Sequence, residues 1–302
     1  MSQLTAIKDR IKTITNLSQV TKAMEMVTRT KVNKIRQNFN NAKNYQACFA
    51  QIFAQIAGQR RCKAVAGNGS ATPEKYCLAF FAHKGFCGGF NDKLLAKLQI
   101  VLDNEKRENG RSAALWLLGR ASAKWQHYIK HAYTALTAAE KNYQAETAPL
   151  VAEIAGKILA GQNIEVYLAY NELLSVLEQS PVIKKIYPFD AAKALDIESG
   201  ILRIRCRNVQ NETILEPAAE IIYPEILRGY LSACLDKAYW ESAAGEYYAR
   251  LVSMQSANKN ARLILQNLTL QYNKTRQMRI TQELSEVVSA FDVLRALENK
   301  EA

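Results

Sequence analysis

Residues 261–297 read ARLILQNLTLQYNKTRQMRITQELSEVVSAFDVLRAL. Ala261, Leu265, Leu268 and Tyr272, and then Ile280, Leu284, Val287, Phe291 and Leu294, recur at alternating four- and three-residue steps. That is the spacing of a coiled-coil seam. The stretch belongs to a longer one, Leu227 to Leu297, that has no proline and only two glycines, Gly229 and Gly245. It reads as a single helix of roughly 100 Å at 1.5 Å per residue. A seam of that length needs a partner, and the rest of the chain is read as what packs on it.

The partner lies at the other end of the chain. From Ser2 to Ala57 there is neither Gly nor Pro, and Leu4, Ile7, Ile11 and Ile14 set a register that resumes with Val32, Ile35, Phe39, Ala42, Phe49, Phe53 and Ile56. Between these runs the same register falls on Ser18, Thr21, Glu25 and Thr28, while Leu17, Val20, Met24 and Val27 stand one position earlier. The apolar face is therefore rotated there by about 100°. A surface with its own use explains this rotation, and so does a local irregularity of packing.

After a polar linker from Gly58 to Lys75, short apolar runs alternate with helix-length stretches. Strands are expected at Tyr76–Ala82, Ala113–Leu118 and Ile164–Tyr170, and helices at Asp92–Asn104, Ala121–Ile129 and Thr147–Leu159. Such alternation implies a mainly parallel sheet covered by helices. Leu174–Pro188 and Ile201–Val209 are expected as added strands, a hairpin arm at the sheet edge. The fold class is thus α/β: an antiparallel coiled coil of long terminal helices with an inserted Rossmann-like α/β domain. The expected divisions are 1–57, 58–215 and 216–302.

With 302 residues, 48% hydrophobic and 23% charged, the chain can bury a sizeable core. No apolar run reaches the eighteen or so residues that span a bilayer, and Lys8, Asp9, Arg10 and Lys12 stand where a signal peptide needs an apolar core. The six cysteines, Cys48, Cys62, Cys77, Cys87, Cys206 and Cys234, show no paired spacing. Reduced, unligated thiols in a cytosolic protein are expected. A net charge of +12 calls for an acidic partner, which could be nucleic acid, anionic lipid or an acidic protein surface. Much of that charge lies on the first helix, at Arg10, Lys12, Lys22, Arg29, Lys31 and Lys34.

No catalytic set is visible. Gly85, Gly88 and Gly89 in GFCGGFN lie between a strand and a helix, where a phosphate loop would sit. The spacing is neither GxGxxG nor GxxxxGK[ST], so a tight structural turn is the expectation and no cofactor is assigned. His127 and His131 are four apart, but YIK between them lacks the glutamate of HExxH.

Three blocks in order, TKAMEMV (21–27), GFCGGFN (85–91) and YNKTRQMRITQELSEVVS (272–289), resemble the gamma subunit of rotary ATP synthases, the central stalk. ESAAGEYYARLVSMQSANKNA (241–261) adds to the similarity. The resemblance covers the terminal helices well and the middle patchily. It implies a shaft that turns inside a ring of alpha and beta subunits, with ATP bound by the ring. An epsilon-type small stalk subunit and the membrane c-ring are the other implied partners, at the cytoplasmic face of the membrane, and no nucleic acid.

The same resemblance places Lys22 and Met24 near acidic loops of the catalytic subunits, and Arg276, Gln277, Thr281 and Glu283 in the zone where shaft and ring interact. The two groups are expected over the same part of the helix pair. Some positions depart from the family pattern. Thr28, Arg29 and Thr30 stand where small residues are favoured, as do Met278 and Arg279; Ala290 and Phe291 replace Gly-Ala; His83 and Lys84 precede the glycine turn. The competing classes are a basic coiled-coil nucleic-acid-binding protein, which lacks a recognisable module, and a nucleotide-dependent enzyme on the α/β unit, which lacks the loop motif.

Overall fold

The computed structural model describes residues 3–57, 73–109, 113–120, 128–129, 131–136, 143–189 and 216–301. In chain order they form α1 (Gln3–Ala57), β1 (Glu74–Phe80), α2 (Phe90–Asn109), β2 (Ala114–Leu118), β3 (Tyr133–Leu136), α3 (Tyr143–Leu159), β4 (Ile164–Leu173), β5 (Gln179–Tyr187) and α4 (Ala219–Glu301). Where the expected helices and strands fall on described residues their order is as expected, and β3 is a strand not expected from the sequence. The expected helix Ala121–Ile129 lies outside the described residues except for Tyr128 and Ile129, which are not α-helical. Ile201–Val209, Cys62, Cys206 and His127 also lie outside them.

The chain forms two compact units, 28–251 and 1–27 with 252–302, so α1 and α4 each contribute to both. In the first unit the strand order is β3-β2-β1-β4-β5. β1 runs parallel to β2 and β4, and β2 parallel to β3. Of the described strands only β5 is antiparallel, hairpinned to β4 through a turn in which the Ser175 and Glu178 amides each donate to the other's carbonyl. Pro181, which has no N–H to give, is tolerated because β5 is the outermost of the described strands on that side.

Alternation along the strands sorts two cores. Tyr76, Leu78 and Phe80 of β1 and Val166, Leu168 and Tyr170 of β4 face α3, α1 and α4, packing with Ile154, Phe53 and Leu227. Cys77, Ala79, Leu115, Leu117 and Ala169 face the opposite way, onto Leu94, Leu98 and Leu102 of α2. The first core explains why residues 28–57 of α1 and 219–251 of α4 belong with the sheet. Phe53 stacks on Tyr230 at 4.9 Å between ring centroids. Where Phe49 crosses α4, a Cβ at Gly229 would lie 2.2 Å from the ring, so glycine is what permits the approach.

Candidate coupling surfaces of the helix pair

In the unit of residues 1–27 and 252–302 the helices are antiparallel. Ser18 Oγ donates to Asn258 Oδ1 at 3.1 Å, Gln255 Nε2 donates to Glu25 Oε1 at 3.4 Å, and a groove lined by Gln3, Ile7, Arg10, Gln271, Lys274 and Met278 closes the N-terminal end of α1. The α1 heptad register continues unbroken through the polar stretch: Ser18 and Glu25 are half-buried and Thr21 is buried. On α4 the covered positions are Met254, Asn258, Ala261, Leu265, Leu268, Tyr272 and Thr275.

Among the described residues, two apolar stripes on these helices are exposed. On α1, Leu17, Val20, Met24 and Val27 are 39–58% exposed and repeat at three- and four-residue steps, an apolar stripe beside the seam. On α4, Ile280, Leu284, Val287 and Phe291 are 48–69% exposed. This corrects the expectation that α1 covers the whole α4 seam. Gln3, the first described residue of α1, lines a groove with Met278, and Arg279–Glu301, roughly 35 Å of helix, lies beyond that level. The side chain of Leu294 lies outside the described residues.

The same register separates the site residues. Lys22 and Met24 lie at the level of Gln255 and Asn258, whereas Arg276 is eighteen residues past Asn258, roughly 27 Å further along the helix. Lys22, Met24, Arg276, Gln277, Thr281 and Glu283 are all exposed, but in two groups at two levels, not in one collar. Around the second group the helix ties its own polar side chains together. Arg279 Nε donates to Glu283 Oε1 at 2.9 Å, and the Thr281 hydroxyl to the Gln277 carbonyl at 3.0 Å.

GFCGGFN, in the sheet unit, is a turn anchored to α4. Of its glycines only Gly88 has a left-handed backbone, φ 59°, and Phe86 shares that conformation at φ 64°. Gly89 opens α2, its carbonyl accepting from Lys93 N–H at 3.1 Å. Glu246 accepts from His83 N–H at 2.8 Å and Lys84 N–H at 3.2 Å, and Arg250 donates to the Gly85 and Lys84 carbonyls at 3.0 and 3.1 Å. Glu246 and Arg250 also pair with each other, both buried. The sequence reading assigned these two no role. The signal was there, an acid and a base four apart in GEYYAR, where residues 241–248 are buried all round.

Of the described cysteines Cys77, Cys87 and Cys234 are buried and Cys48 is exposed. Burial pushes Cys77 up to about 12 and Cys234 up to about 11; Cys87 is raised by burial first and by the Glu246 charge second. His131 Nε2 lies 3.0 Å from Asp103 Oδ1, a tie between its loop and α2. Among the described residues no group of three or more His, Cys, Asp or Glu could hold a metal ion, and no helix is long and apolar enough to cross a membrane.

The family model described as ATP synthase matches residues 3–294. The chain is 31% identical to the ATP synthase gamma chain of Pelotomaculum thermopropionicum, over 97% of this chain and all of that one. It is 29% identical to that of Trichlorobacter lovleyi, over 98% and 100%. Among solved structures, a chain of the Euglena gracilis mitochondrial ATP synthase described as OSCP/F1/c-ring superposes with a TM-score of 0.61 at 19% identity, covering 97% of this chain and 95% of that one. A chain of the Tetrahymena thermophila central stalk and c-ring gives 0.57 at 17%, covering 79% and 99%. The nucleic-acid reading gains no support from these likenesses. A family match over nearly the whole chain, on a mainly parallel sheet and two long antiparallel helices, leads to one conclusion: the chain belongs to the ATP synthase gamma-chain family, the central-stalk subunits of the rotary motor.

Proposed function

We propose that this chain is the noncatalytic rotor of its complex and couples ion flow to ATP synthesis or hydrolysis by turning inside a ring of alpha and beta subunits. The observation that carries the reading is the exposed stretch of α4 from Ile280 to Phe291, whose apolar residues keep heptad spacing. An isolated chain gains nothing from an exposed stripe of that size, but a sleeve around it would bury the stripe. One face of a helix differs from the next, so the catalytic subunits around a turning shaft meet unlike surfaces in succession. Their nucleotide affinities then differ at any instant.

Lys22 and Met24 form one contact level and Arg276, Gln277, Thr281 and Glu283 the other. The net charge of +12 suits acidic loops on the catalytic subunits. The sheet unit then serves the epsilon-type small stalk subunit and the c-ring, and the complex sits peripherally on the cytoplasmic face of the membrane. Purification of the untagged complex through a tagged beta subunit tests this. The chain is expected to follow the alpha, beta and epsilon-type subunits at fixed stoichiometry. Recovery of an active ring complex without it from wild-type cells would overturn the reading.

A further inference from the structure

We propose that the GFCGGFN loop and the Glu246–Arg250 pair form the joint through which the sheet and the α4 segment packed on it turn as one body. This rests on the rotor reading and gives the glycine motif a mechanical task that its missing phosphate signature leaves open.

A rotor must pass torque from the sheet to its shaft, so the contact between them has to resist sliding as well as separation. Most of that contact is apolar: Tyr76, Leu78 and Phe80 on the sheet meet Leu231, Leu235 and Tyr239 on α4 within one cluster. Apolar burial is non-directional, and it holds surfaces together without fixing one against the other. Polar links elsewhere between sheet and helix include Tyr230 OH to the Ile186 carbonyl at 3.2 Å, Ser242 Oγ to the Phe80 carbonyl at 3.4 Å, and hydrogen bonds from the Tyr170 side chain and the Leu173 backbone to Glu241.

The loop is different. Two amides and two carbonyls of residues 83–85 are gripped by one carboxylate and one guanidinium, so displacement along or around the helix breaks several charge-assisted hydrogen bonds at once. A buried ion pair is a poor device for stability alone, since apolar side chains of the same volume serve as well. What it supplies is direction. Its grip is backed by shape and by asparagines. Phe90 lies against Gly245, where a Cβ would stand 3.2 Å from the ring. Asn91 Oδ1 accepts from Ala82 N–H at 3.0 Å, and Asn171 Nδ2 donates to the Phe90 carbonyl at 3.1 Å. The motif residues thus hold the loop in the form that Glu246 and Arg250 grasp.

The test uses the whole complex in vesicles and reads ions pumped per ATP hydrolysed, with and without an opposing ion gradient. Arg250→Lys keeps the charge and loses the fork to two carbonyls; Glu246→Gln keeps the shape and loses the charge. Leu94→Ala, buried on the opposite face of the sheet, is the control for simple destabilisation. The joint predicts that the ratio falls by at least about twofold against the gradient in either joint variant, while Leu94→Ala lowers the melting temperature with its ratio unchanged. Assembled joint variants with the wild-type ratio, or a Leu94→Ala ratio that falls as far as theirs, would overturn it. A wild-type complex that hydrolyses ATP without moving ions would count against the rotor reading itself.

Discussion

The Ser18 hydroxyl, half-buried in the seam of α1, donates to the Asn258 side-chain oxygen of α4 at 3.1 Å, across 240 residues of sequence. Polar pairs at seam positions of coiled coils fix register at some cost in stability. Asn258→Ala should lower the stability of the purified chain by about 1–2 kcal/mol, because it leaves the Ser18 donor without its acceptor. Thr21 is as buried, but its hydroxyl donates within its own helix, to the Leu17 and Ser18 carbonyls. Thr21→Val should therefore cost less than about 1 kcal/mol, and urea denaturation with a larger loss for Thr21→Val than for Asn258→Ala would contradict this register.

Leu284 sits on the α4 seam by spacing and is 61% exposed by structure. In the isolated chain Leu284→Ala should change stability by no more than about 0.5 kcal/mol, whereas Leu94→Ala should cost about 2–5 kcal/mol. Equal losses would mean that the end of α4 is covered within the chain after all.

At Gly88 the backbone is left-handed and no neighbouring atom lies within 4 Å of where a Cβ would stand, so any penalty for a side chain there comes from φ and not from crowding. Gly88→Asn should be tolerated, since asparagine visits that region, and Gly88→Val should cost about 1–2 kcal/mol or more. Melting temperatures that rank the two variants the other way would remove the turn explanation.

Met24 lies on the exposed stripe beside the half-buried Glu25. If the stripe meets an acidic loop of the ring, Met24→Lys adds an attraction that must be broken at each step, and a partly desolvated pair is worth more than the roughly 1 kcal/mol of an exposed one. The expected result is fewer ions pumped per ATP and a higher activation energy for Met24→Lys, and neither change for Met24→Glu. Identical ratios in wild type and both assembled variants would leave this face without a coupling role.

Much of this was legible in the sequence because helix seams are local and periodic. The α1 register, read across Ser18, Thr21, Glu25 and Thr28, holds in the structure residue by residue, and the displaced Leu17, Val20, Met24 and Val27 are the ones that face outward. The parallel strands were legible for a similar reason, as short apolar runs between helical stretches. What periodicity cannot give is the offset between two helices. The apolar run of α4 resumes at Ile280 with the same alternating steps whether or not α1 is still alongside, so Leu284 looked paired and Lys22 looked level with Arg276. The offset depends on contacts such as Ser18 with Asn258, far apart in the chain. The same holds for Glu246 and Arg250, whose partners are backbone atoms of a loop more than 160 residues away. β3, only four residues long, was too short to stand out from its surroundings.

On the rotor reading the chain itself turns. With the alpha and beta subunits fixed to a surface and a probe attached through Ile100→Cys, a position 62% exposed on α2, addition of ATP should drive continuous rotation in one direction. The expected result is stepwise turning that stops when ATP is withdrawn. A complex that hydrolyses ATP at the wild-type rate while the probe stays still would contradict it.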